Sequence, residues 1–209
     1  MYVDDIVLTG SNEEEMVHLK SLLSREFEIK DLGQRRYFLG MEVARSSKSI
    51  SVSQRKYVLD LLKEIGMLRC KPADTPMDPN IKLSTRAKSP LVDKETYQWL
   101  VGKLIYLSNT RPDIGFVVSV VSQFMNSPNE DCLKAVFWIL RYLKRTPGKG
   151  LLFRKNPCRS IEVYTDADWA GSATDRRSTS SYCTFVWGNL VTWRSKEQSV
   201  VARSSAEAE

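Results

Sequence analysis

The 209 residues carry a formal charge of +6, with 42% hydrophobic and 27% charged side chains, the balance of a globular protein able to bury a core. No apolar run approaches the roughly 20 residues a membrane-spanning helix needs, and the acidic opening predicts no secretory signal, so the expected location is intracellular, cytoplasmic or nuclear, and not secreted. The four cysteines (Cys70, Cys132, Cys158 and Cys183) lack zinc-ligand spacing and are expected as free thiols in a reducing compartment.

The chain opens on "MYVDD", where the adjacent carboxylates of Asp4 and Asp5 look like half of a metal site. Ser11, with Glu14 three residues on, predicts a capping box, and Met16, Leu19, Leu22, Leu23 and Phe27 follow at helical spacing. Tyr37 to Ala44 and Ile50 to Ser53 read as strands joined by the polar turn "RSSKS". A helix from about Gln54 to Ile65 presents Val58, Leu61, Leu62 and Ile65 on one face. The segment "CKPADTPMDPNIKLSTRAKSP" has four prolines and no periodicity, and reads as a linker or extended crossing.

Three helices are predicted next, around residues 94–109, 113–126 and 131–144, the middle one apolar nearly all round and therefore buried. Past "TPGKG" the character changes. "IEVYTDADW" alternates as a strand, "SSYCTFVW" and "LVTWRS" flank a tight turn, "QSVVARS" reads as a further short strand, and a helix begins at the very end. A boundary is expected near Gly150.

Charge is unevenly placed. Between Cys132 and Ile161 there is no Asp or Glu, while Lys134, Arg141, Lys144, Arg145, Lys149, Arg154, Lys155 and Arg159 are basic. Without those eight, 23 of the 31 basic residues face 25 acidic ones, so the whole excess sits in this strip. With Phe137, Trp138, Tyr142 and Phe153 interleaved, it is either a phosphate-contacting surface or a solvated face.

The order "YVDD…FEIKDLG…YFLGMEV…ISVSQRKYVLDLL…TPM…VGKLIYLSNTRPDI…ILRYLK…YTDADWAG…VTWRSK…VARSSAEAE" resembles the Pol polyprotein of copia-type LTR retrotransposons along essentially the whole chain. The resemblance implies an α+β architecture in three parts. Residues 1–70 would be the C-terminal part of a reverse transcriptase, with palm end, primer-grip-like hairpin and thumb-like helix. Residues 71–150 would be a Pro-rich crossing and helical connection, and residues 151–209 a truncated ribonuclease H-like domain.

It also implies RNA, DNA and RNA–DNA hybrid as partners, with other Pol or Gag products of an element, and Mg2+ or Mn2+ as cofactor. Two-metal chemistry needs converging carboxylates. The family pattern assigns these to Asp4 and Asp5 in the polymerase part and to Asp166 and Glu209 in the ribonuclease H-like part. With the third polymerase carboxylate and the later nuclease strands lacking from these 209 residues, weak or absent metal binding is expected, and in this chain Asp4 and Asp5 read as two solvated residues rather than a formed site.

"YFLGMEV" resembles a primer grip and reads equally as an ordinary hairpin with Phe38 and Leu39 in a core. Alternation puts Tyr164, Asp166 and Asp168 on one face of their strand and Ile161, Val163 and Thr165 on the other. Asp168 reads as a turn residue, and Ser204 with Glu207 as a capping box that leaves Glu209 free to face Asp166. Trp187 stands where the family has glycine in a tight turn, and Cys132 and Trp138 replace a His and a basic residue. The lone histidine, His18, is a surface residue beside charged neighbours. The expected function is that of a reverse transcriptase/ribonuclease H fragment, catalytically incomplete as this chain. The alternative is a non-catalytic nucleic-acid-binding module or a recruited interaction protein of retrotransposon origin.

Overall fold

The computed structural model describes residues 6, 8, 10–30, 33, 36–78, 83, 89–171 and 176–208. The chain divides into two compact units, residues 1–35 and residues 36–209. The first contains helix α1 (Glu13–Glu26), which buries none of its side chains. Its cap is Asn12 rather than the expected Ser11: the Asn12 side-chain carbonyl accepts from the amides of Glu14 and Glu15 at 3.1 and 3.3 Å. The helix starts one residue later than the capping-box reading predicts because Asn12 reaches two of the open amides of the first turn.

The second unit is mixed α and β. Its first sheet is antiparallel in the order β1 (Tyr37–Phe38), β2 (Met41–Arg45), β3 (Ser49–Ser53), β4 (Gly150–Arg154). The stretch expected as one strand, Tyr37 to Ala44, is itself a hairpin: Phe38 pairs with Met41 across Leu39 and Gly40, both at positive φ (46° and 74°). Gly40 takes that conformation freely, while Leu39 does so at a cost. Strand β4, which periodicity alone does not announce, pairs with β3 from Ser49↔Arg154 to Ser53↔Gly150. It carries the sheet across the boundary expected at Gly150.

The core lies in the helices. α2 (Arg55–Glu64), α3 (Lys94–Ser108), α4 (Pro112–Ser122) and α5 (Glu130–Arg145) meet the expected spans to within a turn. Leu62, Val101, Leu104, Leu107, Ile114, Val136, Leu140 and Leu143 are fully buried among them. Asp93 caps α3 through the Thr96 amide and Asn129 caps α5 through the Cys132 amide. α4 is buried along Ile114, Val117, Val118 and Val121, although Phe116 stays exposed.

The second sheet is the meander β5 (Ile161–Asp168), β6 (Thr179–Val186), β7 (Asn189–Glu197). Trp193 on β7 lies over Gly115 of α4 and donates its indole N–H to the Ser108 carbonyl at 3.1 Å. The two sheets meet where Asn189 brackets Arg154, accepting from its amide at 2.7 Å and donating to its carbonyl at 3.0 Å. "QSVVARS" is not a strand. The Ala202 carbonyl accepts from the Trp169 indole, and Ala202 is buried while its neighbours Val201 and Arg203 are exposed. The segment therefore turns into α6 (Ser205–Ala208) instead of joining an edge. No helix among the described residues is long and apolar enough to cross a membrane.

Candidate nucleic-acid interface and carboxylate strand

Strand β5 is the outer strand of its sheet, with β6 on one side only. Asp166 pairs with Ser181, and the register Tyr164↔Cys183↔Trp193 places Tyr164, Asp166 and Asp168 on the face that Trp193 presents to α4. Tyr164 packs edge-on against Phe185 and donates to Glu162 at 3.0 Å. Asp168 serves the backbone, accepting from the Thr179 amide across the 168–179 connection. Gly171 lies so close to its carboxylate that a Cβ there would overlap it. Tyr164, Asp166 and Asp168 are all exposed to solvent.

The C-terminal capping box forms with a shifted partner. The Ser204 hydroxyl accepts from the Glu207 amide at 3.2 Å, and Glu207 accepts from the Arg203 amide rather than that of Ser204, at 2.7 Å. Asp4, Asp5 and Glu209 lie outside the described residues. Among the described residues no three His, Cys, Asp or Glu side chains gather as a metal site. Of the four candidate ligands only Asp166 lies among the described residues.

The basic strip splits into two halves with different fates. On α5 and the turn after it every expected contact residue has a partner in the protein. Lys134 pairs with Asp131 at 2.9 Å. Arg141 donates to the Lys71 carbonyl at 2.7 Å while stacking over Trp138. Lys144 donates to the Cys70 carbonyl and Arg145 pairs with Asp74. Together with the Trp138 indole, which donates to the Thr75 carbonyl, these side chains fasten the start of the Pro-rich crossing to α5. Lys149 pairs with Asp113 at 3.2 Å, and its pKa is raised chiefly by that hydrogen bond. Arg154 and Lys155, at the end of β4, are exposed and make no ion pair among the described residues. Arg159 lies over the Trp187 ring.

Sequence reasoning missed the buried polar group at the foot of α4. Arg111 is 1% exposed and donates twice to Asp113 and twice to Thr146, all at 2.9 Å, and Tyr142 donates to Asp113 at 2.7 Å. Burial alone would raise the Asp113 pKa. The hydrogen bonds from Arg111 and Tyr142, the Arg111 charge and Lys149 outweigh it and hold the carboxyl below the usual range. The signal was the string "TRPD", a charged pair astride a helix-starting proline.

The family "Reverse transcriptase (RNA-dependent DNA polymerase)" matches residues 1–79. Over its whole length the chain is 43% identical to the retrovirus-related Pol polyprotein from transposon RE1 of Arabidopsis thaliana, and 38% identical to that from transposon TNT 1-94 of Nicotiana tabacum. It is also 40% identical, again over its whole length, to an uncharacterised mitochondrial protein of Arabidopsis thaliana, 87% of which it covers. The chain belongs to the copia-type retrotransposon Pol family. It spans 14% and 16% of the two Pol polyproteins, and its reverse-transcriptase match ends in the Pro-rich crossing before α3. No solved structure matches it. The copia Pol relationship extends over both sheets and all the helices of the second unit.

Proposed function

We propose that this stretch of Pol joins the end of a reverse transcriptase (residues 1–70) through a helical connection (71–150) to a ribonuclease H-like segment (151–209), and that it holds an RNA–DNA hybrid against both. The observation that carries this reading is the shared architecture of the second unit. The primer-grip-like hairpin β1–β2 and strand β4 are one sheet, and Asn189 ties β4 to the sheet bearing Asp166. A duplex seated on one sheet is thereby kept in register with the other. Arg154 and Lys155, which make no ion pair among the described residues, supply the positive field that steers a polyanion toward this surface.

In the same reading, copying RNA into DNA is the work of the intact lineage through Asp4 and Asp5, and cleavage of the hybrid's RNA through Asp166 and Glu209. Hard oxygen ligands of this kind suit Mg2+ or Mn2+, and Asp166 is exposed on an outer strand. The test is ultraviolet cross-linking of a labelled hybrid at low salt, read by peptide mapping. Cross-links should fall on both sheets. Cross-links confined to one sheet, or none, overturn the reading.

A further inference from the structure

The sequence contains a second acid-free stretch, Val43 to Leu59, with Arg45, Lys48, Arg55 and Lys56 in it. Residues 60–131 separate it from the strip that begins at Cys132, a gap that the antiparallel β3–β4 ladder closes. Ser49 sits opposite Arg154, and the Lys155 amide donates to the Lys48 carbonyl at 3.0 Å. At the other end of the seam the Arg55 side chain lies against Gly148. The pairing thus merges two acid-free segments into one surface.

Arg45, Lys48, Arg154 and Lys155 lie at the turn end of this sheet, all exposed, with no ion pair to any of them among the described residues; the register Arg45↔Ile50↔Phe153 sets Arg45 on one face, and Arg154, opposite Ser49, on the other. The nearest acid on these strands, Glu42, is at the far end and accepts from the Lys56 amide. The contrast with α5 decides the matter. Arg141, Lys144 and Arg145 are spent on carbonyls and a carboxylate of the crossing, whereas the sheet end keeps its cations for something outside the protein.

We propose that the turn end of the β2–β3–β4 sheet is a site for the phosphodiester backbone of a nucleic-acid strand, with Arg45, Lys48 and Lys155 as its phosphate contacts. The site rests on the hybrid-binding reading above and assigns it to residues outside the helical strip. The contacts carry no base readout, so binding should be indifferent to sequence.

The experiment measures anisotropy of a short fluorescein-labelled RNA–DNA hybrid of mixed sequence across a salt series. It compares the parent chain with the triple variant Arg45→Gln, Lys48→Gln, Lys155→Gln and with the helix variant Lys134→Gln, Arg145→Gln. The triple variant should lower the slope of log affinity against log salt by about 3, one for each lost phosphate contact. The helix variant should keep the parent slope. An unchanged urea midpoint separates lost contacts from lost structure, and Lys155→Gln alone, expected to lower the slope by about 1, serves if the triple variant unfolds. Tight, salt-dependent binding that survives the triple variant overturns this site and leaves the hybrid-binding reading standing. Absence of binding by the parent chain at low salt overturns both.

Discussion

Arg111 and Asp113, one on each side of Pro112, are locked by two parallel hydrogen bonds of 2.9 Å, with the guanidinium 1% exposed. A buried arginine is tolerated only when its donors are matched, and here Thr146 and Asp113 match four of them. Removing the carboxylate strands a charge in the core. Asp113→Ala should therefore destabilise the second unit by about 3–5 kcal/mol, read as a shift of the urea midpoint at constant m-value.

The same pair sets a pH dependence. Because the folded pKa of Asp113 is depressed, its contribution is fully present above the unfolded value, near 4, and is lost as pH falls through the folded one. Acid titration of stability below about pH 4 should be steeper in the parent than in Asp113→Asn. Equal slopes would mean the pair does not govern acid unfolding.

Trp187 and Gly188 form the two-residue turn between β6 and β7, at φ 52° and 69°. A non-glycine residue in that region costs about 1–2 kcal/mol, and asparagine pays least among side chains. Trp187→Asn should raise the thermal midpoint, with a gain of about 1 kcal/mol reduced by the lost stacking of Arg159. A lower midpoint would show that the Arg159 contact outweighs the turn.

The two aspartates of β5 should behave in opposite ways. Asp168 accepts from the Thr179 amide, so Asp168→Ala should cost about 1–2 kcal/mol. Asp166, exposed on an outer strand, should tolerate Asn within about 0.5 kcal/mol. Paired chemical-denaturation curves decide it.

Gly150 opens β4 where a Cβ would overlap the Val52 carbonyl and crowd Ser53. Gly150→Ala should break the β3–β4 ladder at its first pair and destabilise by about 2 kcal/mol or more. Hydrogen exchange at the amides of β3 would report it.

Much of this architecture is written locally. α3 and α5 announce themselves by Asp93 and Asn129 before apolar periodicity, and β6–β7 by alternation around Trp187-Gly188. What local pattern cannot carry is pairing. β4 is a five-residue run whose strand state is conferred by β3, far away in the chain. "QSVVARS" has the alternation and lacks the neighbour. The charges show the same limit: the strip was legible as a strip, but that Arg141, Lys144 and Arg145 answer carbonyls and a carboxylate of the crossing depends on how 70–75 folds back along α5.

The β3–β4 ladder also orders events in time. β1, β2 and β3 are neighbours in the chain and can close as local hairpins within microseconds, whereas β4 must bridge a loop of roughly 100 residues, with its entropy cost, before it finds Ser49 to Ser53. Until α2 through α5 have condensed and shortened that loop, β3 presents an unsatisfied edge with Ile50 and Val52 on it, the kind of template on which nascent chains stick to one another. Newly made copies are most exposed to aggregation in that interval, and the cations of Arg45 and Lys48 beside the open edge provide the repulsion that keeps them apart.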